Sequence, residues 1–183
     1  GIVYKDERPQ TADEFARAVL PLLEPLQVKL ILEPGRFIVG NAGILVTQVL
    51  YRKETTGRRF LVVDAGMNDL IRPALYGAYH EVVPVGNHGP RPTAHGPRIY
   101  DVVGPICESA DVLAVNRRLP QLEPGELVAI MGAGAYGFTM ASNYNGRMRP
   151  AEVLVKGRRD FLVRHRETHK DLIRHETIPR GLL

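Results

Sequence analysis

Cysteine occurs once in the 183 residues, at Cys107, so no internal disulfide framework can form. A reducing compartment, the cytoplasm, is therefore expected. No apolar run approaches the roughly 20 residues of a membrane-spanning helix, and no membrane partner is expected. Residues 1–4 are apolar, but Asp6 and Glu7 follow at once, so no signal peptide is expected. The start carries no methionine and reads like the end of a strand, so the chain is expected to begin in mid-fold. Internal repeats and low-complexity segments are also missing.

The formal charge is +4, and the excess lies late in the chain. Lys156, Arg158, Arg159, Arg164, Arg166, Lys170, Arg174 and Arg180 are interleaved with Asp160, Glu167, Asp171 and Glu176. Alternating signs without an aromatic ladder describe a solvated face, so no nucleic-acid partner is expected.

What is present is enough apolar residue, 44%, for one good core or two small ones. Residues 11–24 read as an amphipathic helix. Thr11 and Glu14 form a capping box, and Phe15, Val19, Leu22 and Leu23 share one face. Residues 26–32 read as a buried parallel strand, which makes the start a βαβ unit. The character then changes. Strands are expected near 59–64, 79–85, 98–106, 127–131, 152–155 and 160–164, with a short helix at 69–76 and a terminal helix at 167–176. Strands separated by turns, without alternating helices, indicate an antiparallel sandwich or barrel. Residues 86–97 form a Gly/Pro/His loop without periodicity.

Four stretches carry candidate chemistry. Glu33-Pro34-Gly35-Arg36 breaks the chain after an expected strand; glycine admits close approach of an anion and Arg36 adds a planar cation. It reads equally as an ordinary turn. In 64–76, Arg72 and Tyr76 stand four residues apart on a short helix, a pairing suited to a carboxylate but also common on surfaces. Gly132-Ala133-Gly134-Ala135-Tyr136-Gly137 can cradle a phosphate, with Tyr136 as a hydroxyl donor, or be a plain sandwich turn. Gly104-Pro105-Ile106-Cys107-Glu108 presents a thiol beside an acid from one turn, an arrangement suited to proton delivery and cation recognition.

Taken in order, the stretches LEPGRFIVGNAG, VVDAGMNDLIRPALYGAYHE, VVGPICESAD and GAGAYGFTMASNYNGRMRPAEVLV, with the segment 164–172, resemble the diaminopimelate decarboxylase family. That family is a branch of the alanine-racemase-like, fold type III pyridoxal-phosphate decarboxylases. The resemblance covers nearly the whole chain.

The resemblance implies the fold class α/β plus β. Residues 1–40 would be the last strands and helix of a (β/α)8 barrel, 41–166 an antiparallel β-sandwich or barrel domain, and 167–183 a terminal helix and tail. A complete barrel needs roughly 250 residues, so only its final piece fits. The cofactor implied is pyridoxal 5'-phosphate. Glu33 would face its pyridine nitrogen, the Gly35 and Arg36 amides would help hold its phosphate, Tyr136 would contact that phosphate, and Pro34 would belong to the same cofactor-binding turn. Arg36, Arg72, Tyr76 and Tyr136 would bind the substrate. Cys107 would be the catalytic proton donor and Glu108 would bind the distal ammonium group. Cys107 and Glu108 would serve the neighbouring subunit's site, which implies a homodimer. No metal is implied.

Two arginines near one pocket favour a substrate with a second carboxylate. The activity implied is therefore decarboxylation of meso-2,6-diaminopimelate to L-lysine. An ornithine- or arginine-type decarboxylase is the related alternative. The lysine that forms the cofactor's Schiff base has no match among Lys5, Lys29, Lys53, Lys156 and Lys170. His80, His88 and His95 do not match the family's cofactor-stacking histidine. Alone, the chain is expected to be inactive, a dimerisation or binding module.

Overall fold

The computed structural model describes residues 2–5, 8–86 and 96–181. His88 and His95 lie outside the described residues. The first helix, α1 (Ala12–Leu23), starts where its chemistry says it should. Thr11 Oγ1 accepts from the Glu14 amide at 3.1 Å, and Glu14 Oε2 accepts from the Thr11 amide at 2.9 Å. These reciprocal bonds satisfy two amides that helix formation leaves without partners.

Residues 26–32 correct the strand expectation, because they join no sheet. Val28, Leu30, Ile31 and Leu32 are all exposed. A continuous apolar run favours a strand only when neighbours cover both faces and both edges. Among the described residues none pairs with it, so the βαβ unit does not form. Phe15, Val19 and Leu20 of α1 instead face Leu30, Leu32, Phe37 and Ile38 across a groove of about 710 Å³.

After a one-turn helix, α2 (Arg36–Val39), six strands build the main sheet. They are β1 (Leu45–Thr55), β2 (Arg58–Val63), β3 (Val82–Pro84), β4 (Arg98–Val103), β5 (Val112–Leu119) and β6 (Leu127–Ile130). Their order is β3-β6-β1-β2-β4-β5, and the edge strands β3 and β5 meet, so the sheet nearly closes on itself. The expectation of a wholly antiparallel sheet is corrected at one place: β2 and β4 pair in parallel, Phe60 opposite Asp101 and Val62 opposite Val103. The connection between them carries α3 (Arg72–Tyr76) and β3 and returns the chain in the same direction.

Closure explains the burial pattern. Val49, Leu61, Val63, Leu70, Val102, Leu113, Leu122, Val128 and Ile130 fill the interior. Each fully buried Leu or Val contributes about 1.5–3 kcal/mol. Leu61, Val62 and Val63 are buried in succession, so both faces of β2 are covered there.

A separate hairpin, β7 (Glu152–Lys156) with β8 (Arg159–Arg164), stands outside the sheet and exposes both faces. The last helix, α4 (His169–Ile173), is shorter than the expected span. Two of the late basic residues are engaged: Arg164 donates to Glu152 and its guanidinium lies 4.1 Å from the Phe138 ring centre, and Arg159 lies 5.4 Å from the Phe161 ring centre. Arg149, before them in the chain, donates to Glu167. Among the described residues no helix is long and apolar enough to cross a membrane.

Candidate active site

The candidate residues fall into two clusters. The first forms where α3, the N-terminal segment and the turn after β6 converge. Arg72 opens α3, with Pro73 beside it in the first turn where a missing amide hydrogen costs nothing. Its side chain runs inward and is 7% exposed. Nη1 donates to Nε2 of His80 at 3.0 Å, and the guanidinium lies 4.6 Å from the Tyr4 ring centre and 6.0 Å from that of Tyr136. Arg36 approaches the same Tyr4 ring at 5.7 Å. The electron-rich ring faces hold both cations and offset their mutual repulsion. Arg36, Arg72 and Tyr136 are thus brought together.

Tyr76 is not drawn in with Arg72. It is 64% exposed at the other end of the same short helix. Glu33 and Pro34 are exposed and line the edge of the apolar groove beside α1. Gly35, with φ +26°, turns the chain into α2 and places Arg36 at its first position.

The glycine-rich turn at 132–137 has a packing role. The Ala133 amide donates to the Gly43 carbonyl at 2.8 Å, and the Gly134 amide donates to the Gly40 carbonyl at 3.1 Å. A Cβ on Gly134 would overlap the Val39 carbonyl oxygen. Gly134 is therefore small so that two backbone segments can touch, and the touching fixes α2, and with it Arg36, relative to Tyr136.

The second cluster is the turn between β4 and β5. Cys107 is exposed. Its neighbour Glu108 accepts from the Ala110 amide and from the Tyr144 hydroxyl, both at 3.1 Å. Those bonds, the Ala110 amide first, hold the Glu108 carboxyl below its usual range, and the same carboxylate raises the Tyr144 phenol. The turn is anchored by Asp111, whose two oxygens accept from the Met67 amide at 2.6 Å and the Ile106 amide at 2.8 Å. The result is a thiol and an ionised acid offered outward on a rigid turn. The two clusters share no hydrogen bond, ion pair or ring contact among the described residues.

The family described as "Pyridoxal-dependent decarboxylase, C-terminal sheet domain" matches residues 2–134. The chain belongs to this family. It is 52% identical over 178 residues to the diaminopimelate decarboxylase of Pseudomonas fluorescens, covering 97% of this chain and 41% of that protein. A diaminopimelate decarboxylase structure from M. jannaschi superposes with a TM-score of 0.89 at 40% identity, over all of this chain and 42% of the other. One from Helicobacter pylori, complexed with L-lysine, gives 0.86 at 41% identity, over 95% and 42%. The chain spans about two fifths of the length of the curated relatives it matches.

The Pro34–Arg36 turn fits part of the family's cofactor. The backbone amides of Gly35 and Arg36 donate to no partner among the described residues, and Arg36 supplies a cation beside them. Two free amides and a guanidinium suit a phosphate.

Sequence reasoning missed four contributors. Tyr4 lies in a segment whose composition signals only a strand end, and His80 carries no motif of its own. Tyr144 lies 36 positions from the Glu108 it serves, a separation that leaves no local signal. Asp111 ends the VVGPICESAD stretch, and a carboxylate six residues after Gly104-Pro105 is the local signal for a turn anchor.

Proposed function

We propose that the chain is the C-terminal, substrate-recognising portion of a pyridoxal-phosphate-dependent decarboxylase that converts meso-2,6-diaminopimelate to L-lysine and carbon dioxide. The observation that carries this reading is the pairing of Arg36 and Arg72 around one tyrosine ring, which makes a receptor for two carboxylates. The names and identities of the relatives support it.

In this reading Glu33, Gly35, Arg36 and Tyr136 hold the cofactor, which supplies an electron sink next to the substrate's α-carbon. Arg36, Arg72, Tyr76 and Tyr136 orient the substrate. The bond from the α-carbon to its carboxylate breaks, carbon dioxide leaves, and the electron pair stays on carbon. Cys107 Sγ then gives its proton to that carbon and regains one from solvent. Glu108, held ionised by Ala110 and Tyr144, receives the distal ammonium group.

Cys107 and Glu108 serve the site of a second copy in a homodimer. The exposure of Cys107, and the separation of both residues from the arginine cluster, support that assignment. Residues 1–40 belong to the end of a cofactor-binding barrel, 41–166 to the sheet domain and 167–183 to the tail. A thiol that must stay reduced to deliver a proton supports a cytoplasmic location.

Carbon dioxide release from diaminopimelate and ornithine by the complete holoenzyme tests the reading. Diaminopimelate alone should be turned over. Equal turnover of ornithine would remove the substrate assignment. Because none of Lys5, Lys29, Lys53, Lys156 and Lys170 matches the family's Schiff-base lysine, the 183 residues by themselves are expected to show no turnover.

A further inference from the structure

His80 is among the most deeply buried polar side chains, 0% exposed, and the chemistry above leaves it unused. Its two ring nitrogens are both engaged. Nδ1 lies 2.8 Å from the Met131 carbonyl and Nε2 lies 3.0 Å from Arg72 Nη1. A guanidinium only donates, so Nε2 must accept and carries no proton. Nδ1 then carries the single proton and donates it to the carbonyl. One neutral tautomer is the only form that satisfies both contacts.

We propose that His80 is a positioning residue that aims Arg72 at the substrate's second carboxylate. It extends the assignment of Arg72 to substrate binding and rests on that reading. Four elements fix it. The Met131 carbonyl after β6 sets the tautomer, and the Arg72 guanidinium from α3 is its partner. The Tyr4 ring stands edge-on at 5.3 Å, with an interplanar angle of 73°. From β5, Arg117 donates to the His80 carbonyl at 3.3 Å and stacks 3.9 Å over the Tyr79 ring. Lys5 also approaches that ring, at 5.6 Å, and Lys5 and Glu81 both line the adjoining pocket.

Protonating His80 would remove the acceptor and set a second cation against Arg72. Burial first, and the charges of Arg72 and Arg117 after it, hold the imidazole below its ordinary range despite the opposing Met131 carbonyl. Arg72 thus keeps its partner at neutral pH.

The test uses the complete holoenzyme with His80→Asn and His80→Gln. Asparagine keeps a donor toward Met131 and offers Arg72 no acceptor. Glutamine places an amide oxygen near the Nε2 position. Asparagine should raise the KM for diaminopimelate about tenfold, with kcat changed less than about threefold, and glutamine should restore most of the loss.

A second readout does not depend on turnover. Nitrogen-15 NMR of the His80 ring in the wild-type protein should show the neutral Nδ1–H tautomer at neutral pH. Arg72→Met should shift the Nε2 resonance. An Nε2–H tautomer, an Nε2 signal indifferent to Arg72, or a loss in kcat with KM unchanged would overturn the proposal. If diaminopimelate is not turned over by the wild type, the substrate reading fails. The NMR result then decides the His80–Arg72 pairing alone.

Discussion

Gly104 and Asp111 close the cysteine turn against each other: a Cβ at position 104 would overlap both carboxylate oxygens of Asp111. The Gly104 amide also donates to the Asp111 carbonyl at 3.0 Å. The turn that offers Cys107 and Glu108 is therefore built on a buried acid and on the absence of a side chain facing it.

Asp111→Ala should loosen that turn. The Met67 and Ile106 amides lose their acceptor, at a cost of about 1–3 kcal/mol. Denaturant unfolding measures the loss. Modification of Cys107 by a thiol reagent, followed at the same time, should quicken as the turn gains mobility. Unchanged stability would show that the two hydrogen bonds add nothing.

Cys107→Ala should behave in the opposite way. The side chain is exposed and makes no hydrogen bond among the described residues, so stability should move by less than about 0.5 kcal/mol. Turnover by the complete enzyme should fall about 100- to 10,000-fold while KM changes little. A stable protein with full activity would exclude the thiol as proton donor.

Gly134→Ala tests the packing role of the glycine-rich turn. Its methyl group would meet the Val39 carbonyl and the Gly43 amide, both backbone, so neither can swing aside. A loss of about 1–3 kcal/mol is expected in thermal or denaturant unfolding. Gly57→Ala is the control: there a Cβ meets open space, although φ is +88°. Its cost should be the backbone strain alone, about 1–2 kcal/mol.

Acid should unfold the chain partly through Glu167. Its hydrogen bond from Arg149, the largest cause, lowers its carboxyl from 4.5 to about 2. The folded state therefore binds this proton less readily than the unfolded one. Glu167 stabilises fully above pH 4.5, and its contribution is lost as pH falls from 4.5 toward about 2. Asp69 has the opposite sign: burial raises its carboxyl above 3.8, which offsets part of the loss. Glu167→Gln should flatten the stability–pH curve below 4.5, and a curve that keeps its slope would assign the acid limb to other groups.

Local chemistry was readable in the sequence wherever the cause is local. The Thr11–Glu14 capping box and most strands of the main sheet appear close to where spacing places them, while α3 begins at Arg72, three residues after the expected start at 69. Strand β5 was not anticipated. Asn116, at φ 56°, interrupts its pattern with a register shift against β4, and Arg117 and Arg118 follow. Residues 26–32 failed for the reverse reason, since their pattern is strand-like and their partners are lacking.

The site divides along the same line. Arg36, Arg72, Tyr136, Cys107 and Glu108 were all identified from motifs. Tyr4, which brings the arginines together, meets Arg36 and Arg72 32 and 68 positions away, and His80 is fixed by the Met131 carbonyl 51 positions away, where no sequence periodicity reaches.

The most direct measurement is product analysis of the complete holoenzyme given equal concentrations of meso-2,6-diaminopimelate and L-ornithine. The two-arginine receptor predicts that L-lysine and carbon dioxide form in equal amounts and that ornithine is recovered intact. Diamine formation from ornithine at a comparable rate, or no lysine from diaminopimelate, would contradict the reading of Arg36 and Arg72.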